Sequence, residues 1–188
     1  MKYLERLSSA GGQIIIEDGV TDDAADLVRV HLSVLKEGRY FITRPEEFAA
    51  SAERKATLIQ AFTRQPNCCF LVARLDGAIV GMVSLRGGLL RRMKHVAKLE
   101  IFVDSAFRGH GVGRALMDVV LEWATNSAEL LKIGLSVFDD NTRAISLYQV
   151  LGFQEEGRRP AEYREEDGTL RGDVLMYRWV TPDGQPPG

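Results

Sequence analysis

Apolar residues along this chain fall into short blocks whose spacing alternates between that of strands and that of helices. "GQIIIEDG" is a β-branched run closed by turn formers and predicts a strand over about 13–17. Thr21 then offers an N-cap, and Ala24, Leu27, Val28, Val34 and Leu35 recur at helical spacing to about Lys36. "GRYFITRPEEFAASAERKATLIQAF" opens as a loop and turns helical after Pro45, a residue favoured in a first helical turn. "CCFLVARLDGAIVGMVSLRGG" holds two apolar runs around Asp76-Gly77, a strong short hairpin signal.

"HVAKLEIFV", 95–103, predicts a strand that enters a glycine cluster through Asp104. A helix follows from about Gly111 to Asn126, with Val112, Leu116, Val119, Val120 and Trp123 on one stripe. "LKIGLSVF" gives a strand over 131–138, and "DNTRAISLYQVLGF" a capped helix that closes at Gly152, with Phe153 opening a strand. The last strand, "DVLMYRWV", is reached through the turn at Glu166-Asp167-Gly168. The resulting order, β-α-α-β-β-β-α-β-α-β-β, is neither a plain alternation nor all-β. It predicts one α/β domain over 1–180, of α+β mixed type, followed by a Pro- and Gly-rich flexible tail over 181–188.

Composition adds exclusions. At 188 residues, 45% hydrophobic and 27% charged, the chain has the make-up of an ordinary globular protein. A formal charge of -2 gives no general pull toward nucleic acid or anionic membrane, and the basic run "RRMKH" lacks interleaved aromatics. No apolar run reaches membrane-spanning length and "MKYLERLSSAGGQ" lacks a signal-peptide core, so a cytoplasmic location is expected. Cys68 and Cys69 are adjacent and read as reduced residues at a strand start; His31, His95 and His110 are scattered, and no metal is expected.

"DSAFRGHGVGRALMDVV", 104–120, carries the chemistry. Gly109, Gly111 and Gly113 lack the spacing of a dinucleotide fingerprint, and no G-K-[ST] follows as in a P-loop. Arg108-x-x-Gly111-x-Gly113 between strand and helix aims free N–H groups and the positive helix end at one point, a ready site for pyrophosphate, with Arg108 and Arg114 able to add charge. The competing reading is a tight turn whose glycines serve close packing. In the next helix Asn141, Ala144, Ile145 and Tyr148 fall at i, i+3, i+4 and i+7 and share one face.

"FVDSAFRGHGVGRALM" resembles the acetyl-CoA signature of the GCN5-related N-acetyltransferase (GNAT) family. "NTRAISLYQVLGF", 141–153, resembles the same family's second signature at Asn141, Ala144, Leu147, Tyr148, Gly152 and Phe153. The resemblance covers about 68–180. It implies a mixed, largely antiparallel sheet of about seven strands, splayed at its centre and flanked by four helices, with acetyl-CoA as co-substrate. The implied cofactor-binding positions are Ile101, Phe102, Val103, Arg108, Gly109, His110, Gly111, Val112, Gly113, Arg114, Asn141, Ala144 and Tyr148. Tyr148 matches the family's usual general acid for the departing thiolate, and N–H groups near Phe102 and Val103 would bind the thioester carbonyl.

For the general base Glu100 is the candidate, alone among apolar neighbours in "LEIFV". The alternative is a strand carboxylate paired with Lys98 or an arginine; His95 is a weaker candidate. Tyr40, Phe41, Glu46, Glu47, Tyr163 and Glu165 lie in the two segments expected to choose the acceptor. The leading expectation is acetyl transfer to a primary amine of a small molecule. Acetylation of protein N-termini, which resembles the ribosomal-protein branch of the family, and a non-catalytic acyl-CoA-sensing module are the alternatives. Members of the family often form homodimers, which this composition neither requires nor excludes.

Overall fold

The computed structural model describes residues 1–181 and 183–186. The tail expected over 181–188 thus falls partly on residues 182, 187 and 188, outside those described. Twelve regular elements run in the order β1 (Lys2–Leu7), β2 (Gln13–Asp18), α1 (Ala24–Leu35), α2 (Ala52–Thr63), β3 (Cys69–Leu75), β4 (Ala78–Gly87), β5 (Val96–Val103), α3 (Val112–Thr125), β6 (Lys132–Phe138), α4 (Thr142–Val150), β7 (Gln154–Arg164) and β8 (Leu170–Trp179). All strands join one eight-stranded sheet in the order β1-β2-β3-β4-β5-β6-β8-β7. Every neighbouring pair is antiparallel except β5 with β6, the point where the chain crosses over through α3.

Two apolar layers cover the sheet. On one face Val112, Ala115, Leu116, Met117, Val119 and Val120 of α3 pack with Ile14, Leu71, Val83, Ala97, Ile133 and Val137, and Tyr148 and Leu151 join from the α4 region. On the other, Leu27, Val30 and Val34 of α1 and Ile59 and Phe62 of α2 cover Phe70, Val72, Met82 and Phe102. Side chains alternate along β5, so Leu99, Ile101 and Val103 belong to the α3 face while Phe102 belongs to the α1/α2 face. At the β3–β4 hairpin Asp76 and Gly77 both take positive φ, 50° and 86°, as a two-residue turn of this type demands.

Three expectations are corrected. The strand count is eight, because "KYLERL" forms the edge strand β1. Its charged Lys2, Glu5 and Arg6 hide the alternation that marks a half-buried strand, and charges of this kind are usual on an edge. The helix expected after Pro45 starts at Ala52, where the Ser51 hydroxyl accepts from Arg54 N at 3.3 Å. Residues 44–48 are instead held in a turn by Glu47, whose carboxylate accepts from Arg44 N at 2.8 Å. Thr21 does not cap α1: the Asp23 carboxylate accepts from Val20 N at 2.9 Å around a short 3-10 turn, and α1 begins at Ala24.

Leu116 is fully buried at the centre of the α3 layer. Leu116→Ala is expected to lower the unfolding free energy by about 3 kcal/mol. Urea denaturation followed by tryptophan fluorescence should show an earlier midpoint with an unchanged slope.

Candidate active site

Strands β5 and β6 stay together for three pairs only, Val96↔Lys132, Ala97↔Ile133 and Lys98↔Gly134. Beyond them Leu99–Val103 remains bonded to β4 and Leu135–Phe138 to β8. The sheet therefore opens at its centre, and the opening joins the two helix layers. Its rim carries Leu99, Ile101 and Val103 toward α3, and Glu100 and Phe102 toward α1 and α2.

At the end of β5 the chain enters the glycine loop. The Asp104 carboxylate accepts from Ala106 N at 3.2 Å and from the Ser33 hydroxyl at 3.1 Å, which fixes the turn out of the strand. Gly109 and Gly111 have φ of 84° and 85°, the left-handed region that glycine enters without strain. Their carbonyls are held from the N-terminal hairpin: the Ser9 hydroxyl donates to Gly109 O at 3.1 Å and Arg6 Nη2 to Gly111 O at 3.0 Å. Among the described residues no acceptor meets the backbone N–H groups from Gly109 to Arg114. These donors, with the positive end of the 14-residue α3, form a ledge of free amides whose dipoles favour negative charge.

Gly113 separates the two readings of this loop. It has no positive φ, and a Cβ built there would have only Val103 Cγ2, at 3.8 Å, within 4 Å. The turn accounts for Gly109 and Gly111, but neither the turn nor close packing accounts for Gly113. Open space over the helix start fits a ligand lying against the main chain.

The two arginines of the motif are engaged within the protein. Arg108 donates to both Glu37 oxygens at 2.5 and 2.7 Å and to Val103 O at 3.1 Å, tying the loop to the end of α1. Arg114 pairs with Asp118 at 2.6 Å. His110 is partly exposed and its Nδ1 lies 3.0 Å from Arg108 O. The ledge thus rests on main-chain donors, with the arginine charges shared by carboxylates.

Across the α3 layer, Asn141 caps α4 by accepting from Ala144 N at 3.3 Å. Asn141, Ala144, Ile145 and Tyr148 make up its inner face, as their spacing predicts. The Tyr148 ring packs 5.7 Å from that of Phe153. Burial pushes the Tyr148 phenol up to about 12. Glu100 is exposed, lies opposite Ser84, and makes no ion pair within 4.0 Å among the described residues. The expected alternative, a bridge to Lys98 or an arginine, is not formed. His95 is exposed just before β5, where its carbonyl accepts from Leu131 N and Lys132 N.

The two acceptor-choosing segments meet. Arg44 pairs with Glu165, and Arg171 donates to Glu165 at 2.9 Å and to Arg39 O at 2.6 Å. Arg171 also lies 4.1 Å above the Phe138 ring, which neighbours Tyr40 and Tyr163. Glu165 is therefore committed to arginines rather than left open to a cationic acceptor.

Sequence reasoning missed two residues near Glu100. Lys55 of α2 is 7% exposed, and the His31 ring stacks on Phe102 at 4.7 Å with its Nδ1 buried and unpartnered among the described residues. The available signal was position: Lys55 precedes Ile59 and Phe62 at i+4 and i+7 on the buried stripe of α2. No cluster of metal-ligating side chains occurs among the described residues, and no helix there is long and apolar enough to cross a membrane.

The sequence profile of the Acetyltransferase (GNAT) family matches residues 36–153. An L-amino acid N-acetyltransferase, AaaT, of Escherichia coli (strain K12) is 39% identical over 93 residues, which span 50% of this chain and 57% of that protein. Human N-acetylaspartate synthetase is 36% identical over 103 residues, 54% of this chain and 33% of that protein. The N-alpha-acetyltransferase RimI of Mycobacterium tuberculosis is 33% identical over 108 residues, 55% and 65% of the two chains. The chain thus spans less than two thirds of each of these curated relatives. A GNAT-family acetyltransferase of Streptococcus pneumoniae superposes with a TM-score of 0.85 at 26% identity, over 88% of this chain and 99% of that one. YncA of Salmonella typhimurium, solved with acetyl-CoA, shares the fold with a TM-score of 0.80 at 15% identity, over 93% and 98% of the two chains. With the centrally opened sheet, the amide ledge and a family match across most of the chain, this protein belongs to the GNAT acetyltransferase family.

Proposed function

We propose that the protein is an acetyl-CoA-dependent N-acetyltransferase that moves the acetyl group to a primary amine of a small molecule by direct attack. The observation that carries this reading is the run of unpartnered amides from Gly109 to Arg114, which leads into a gap between β5 and β6 bordered by the Tyr148 layer. That ledge suits a pyrophosphate, and the small Ala144 leaves room for a slender arm along α4. The acetyl-CoA in the YncA structure and the transferase names of the relatives support the same reading.

When bound, the cofactor supplies an acetyl thioester and a thiol leaving group. The rest falls to this chain. The main-chain N–H groups of Ile101 and Val103, on the part of β5 that has left β6, are assigned to the thioester oxygen as charge grows there, whereas that of Phe102, expected to share the task, faces β4 in the antiparallel ladder. Tyr148 is assigned the proton for the sulfur: a phenol whose pKa is pushed up to about 12 by burial stays protonated throughout the assay range. Glu100, exposed at the rim of the gap on the opposite face, is assigned the proton of the incoming amine. Phosphate binding falls to the ledge amides, with Val112 and Asn141 fixing the helix starts on either side. The ion pairs of Glu165 with Arg44 and Arg171 tie the two acceptor-choosing segments together, which supports a small amine over a polypeptide end.

Gly113→Asp should remove acetyl-CoA binding by calorimetry, about a 100-fold loss or more, while melting within a few degrees of the native protein. An acidic residue at a helix start favours the helix itself, so unfolding would not be the cause. Tyr148→Phe is expected to lower kcat by about 100-fold with KM for acetyl-CoA changed by less than about threefold. Equal turnover in the two proteins would remove Tyr148 from the mechanism. In the native enzyme kcat/KM should rise with pH as the acceptor amine deprotonates. No downward limb from Tyr148 should appear below about pH 10, because a raised phenol pKa moves that loss of proton to higher pH.

A further inference from the structure

Lys55 is a lysine in a setting that the fold does not explain. It projects from the inner stripe of α2 and is 7% exposed. Among the described residues its ammonium takes part in no ion pair within 4.0 Å and no side-chain hydrogen bond, and it lies 5.9 Å from the centroid of the Phe48 ring. A buried ammonium without a counter-ion is costly, and the structure would be more stable with an apolar residue there.

The surroundings show what the charge faces. From α1 comes His31, stacked on Phe102 and within 4.5 Å of the Phe48 ring centroid, its Nδ1 buried without a partner. From β5 comes Glu100, which pulls on Lys55 electrostatically without touching it. From β4 come Ser84, beside Glu100, and Arg86, which lies 5.3 Å over the Phe62 ring. From the loop after α1 come Phe41 and Phe48. Burial holds the Lys55 ammonium below its ordinary pKa, with Glu100 opposing the shift, and burial followed by the Lys55 charge lowers His31 to about 4. A neutral imidazole can donate from Nδ1, so this cluster offers one positive charge and one spare donor against the exposed carboxylate of Glu100.

Resting on the acetyltransferase reading above, we infer that Lys55, with His31 beside it, receives a carboxylate of the acceptor, while the acceptor's amine faces Glu100 at the opening between β5 and β6. Two opposite charges that form no ion pair with one another, beside the ring cluster of His31, Phe41, Phe48 and Phe102, match a zwitterion. The acceptor class is therefore a free amino acid. A peptide N-terminus, whose neighbouring carboxyl is an amide, leaves Lys55 buried and unpaired.

The test compares L-amino acids with their own carboxamides as acceptors, using thiol release and mass detection of the product. The native enzyme is expected to prefer the acid by at least about 10-fold in kcat/KM. In Lys55→Met the acid-to-amide ratio should fall toward 1, and Lys55→Arg should keep part of the preference. The Lys55→Met protein should melt no lower than the native one, and Lys55→Gln provides a second neutral variant. A native preference for amides, or a Lys55→Met loss equal for acid and amide, would overturn the inference while leaving the acetyltransferase standing. If no amine of any kind is turned over, the acetyltransferase reading fails instead. Calorimetric binding of the same amino acids to the native protein and to Lys55→Met then still decides the carboxylate site, which is overturned by equal binding or by none.

Discussion

The parting of β5 and β6 after three residue pairs is the constraint on which the site depends. Breaking a sheet at its centre leaves the main-chain donors and acceptors of the facing edges without a ladder, and the two strands keep their places only if each is held from its other side. Both are. β5 keeps antiparallel pairing to β4 from Ala97 to Val103, and β6 keeps pairing to β8 along its whole length. The opening is therefore an edge placed inside the molecule, where an extended ligand can take the position of the missing strand. The crossover through α3 follows from the same geometry, since two parallel neighbours need a long connection, and that connection begins at the ledge.

The two faces of the opening handle charge differently. Toward α3 the attraction for an anion comes from oriented amides, and the nearby guanidiniums of Arg108 and Arg114 are spent on Glu37 and Asp118. Toward α1 and α2, Lys55 and Glu100 form no ion pair within 4.0 Å among the described residues; Lys55 is buried near the aromatic group of His31, Phe41, Phe48 and Phe102, while Glu100 is exposed. One face presents free amides and the positive end of a helix. The other holds charges of both signs in reserve.

The sequence made part of this legible. The hairpin at Asp76-Gly77, the helix from Gly111 and the face of Asn141, Ala144 and Tyr148 all rest on local chemistry, namely positive φ, capping and helical period, and the structure has each. β1 escaped because an edge strand needs only one side and tolerates charges that break the pattern. The start of α2 escaped because Pro45 and Ser51 both signal a helix start, and the Glu47 carboxylate takes the earlier one for a turn. Lys55 escaped for a different reason. A lysine is read as solvated by default, and its burial depends on α1, β5 and a loop that no local pattern brings together.

The hydrogen bonds from Ser9 and Arg6 to the glycine carbonyls have a further consequence. Each fixes a peptide plane, and fixing the carbonyl of one residue fixes the N–H of the next on the opposite side. The glycines, which would otherwise sample many orientations, are preorganised by a hairpin about a hundred residues away in sequence. The entropy of ordering this loop is then met during folding rather than at the moment of capture. The aim of the ledge amides is thereby made sensitive to residues about a hundred positions away in sequence.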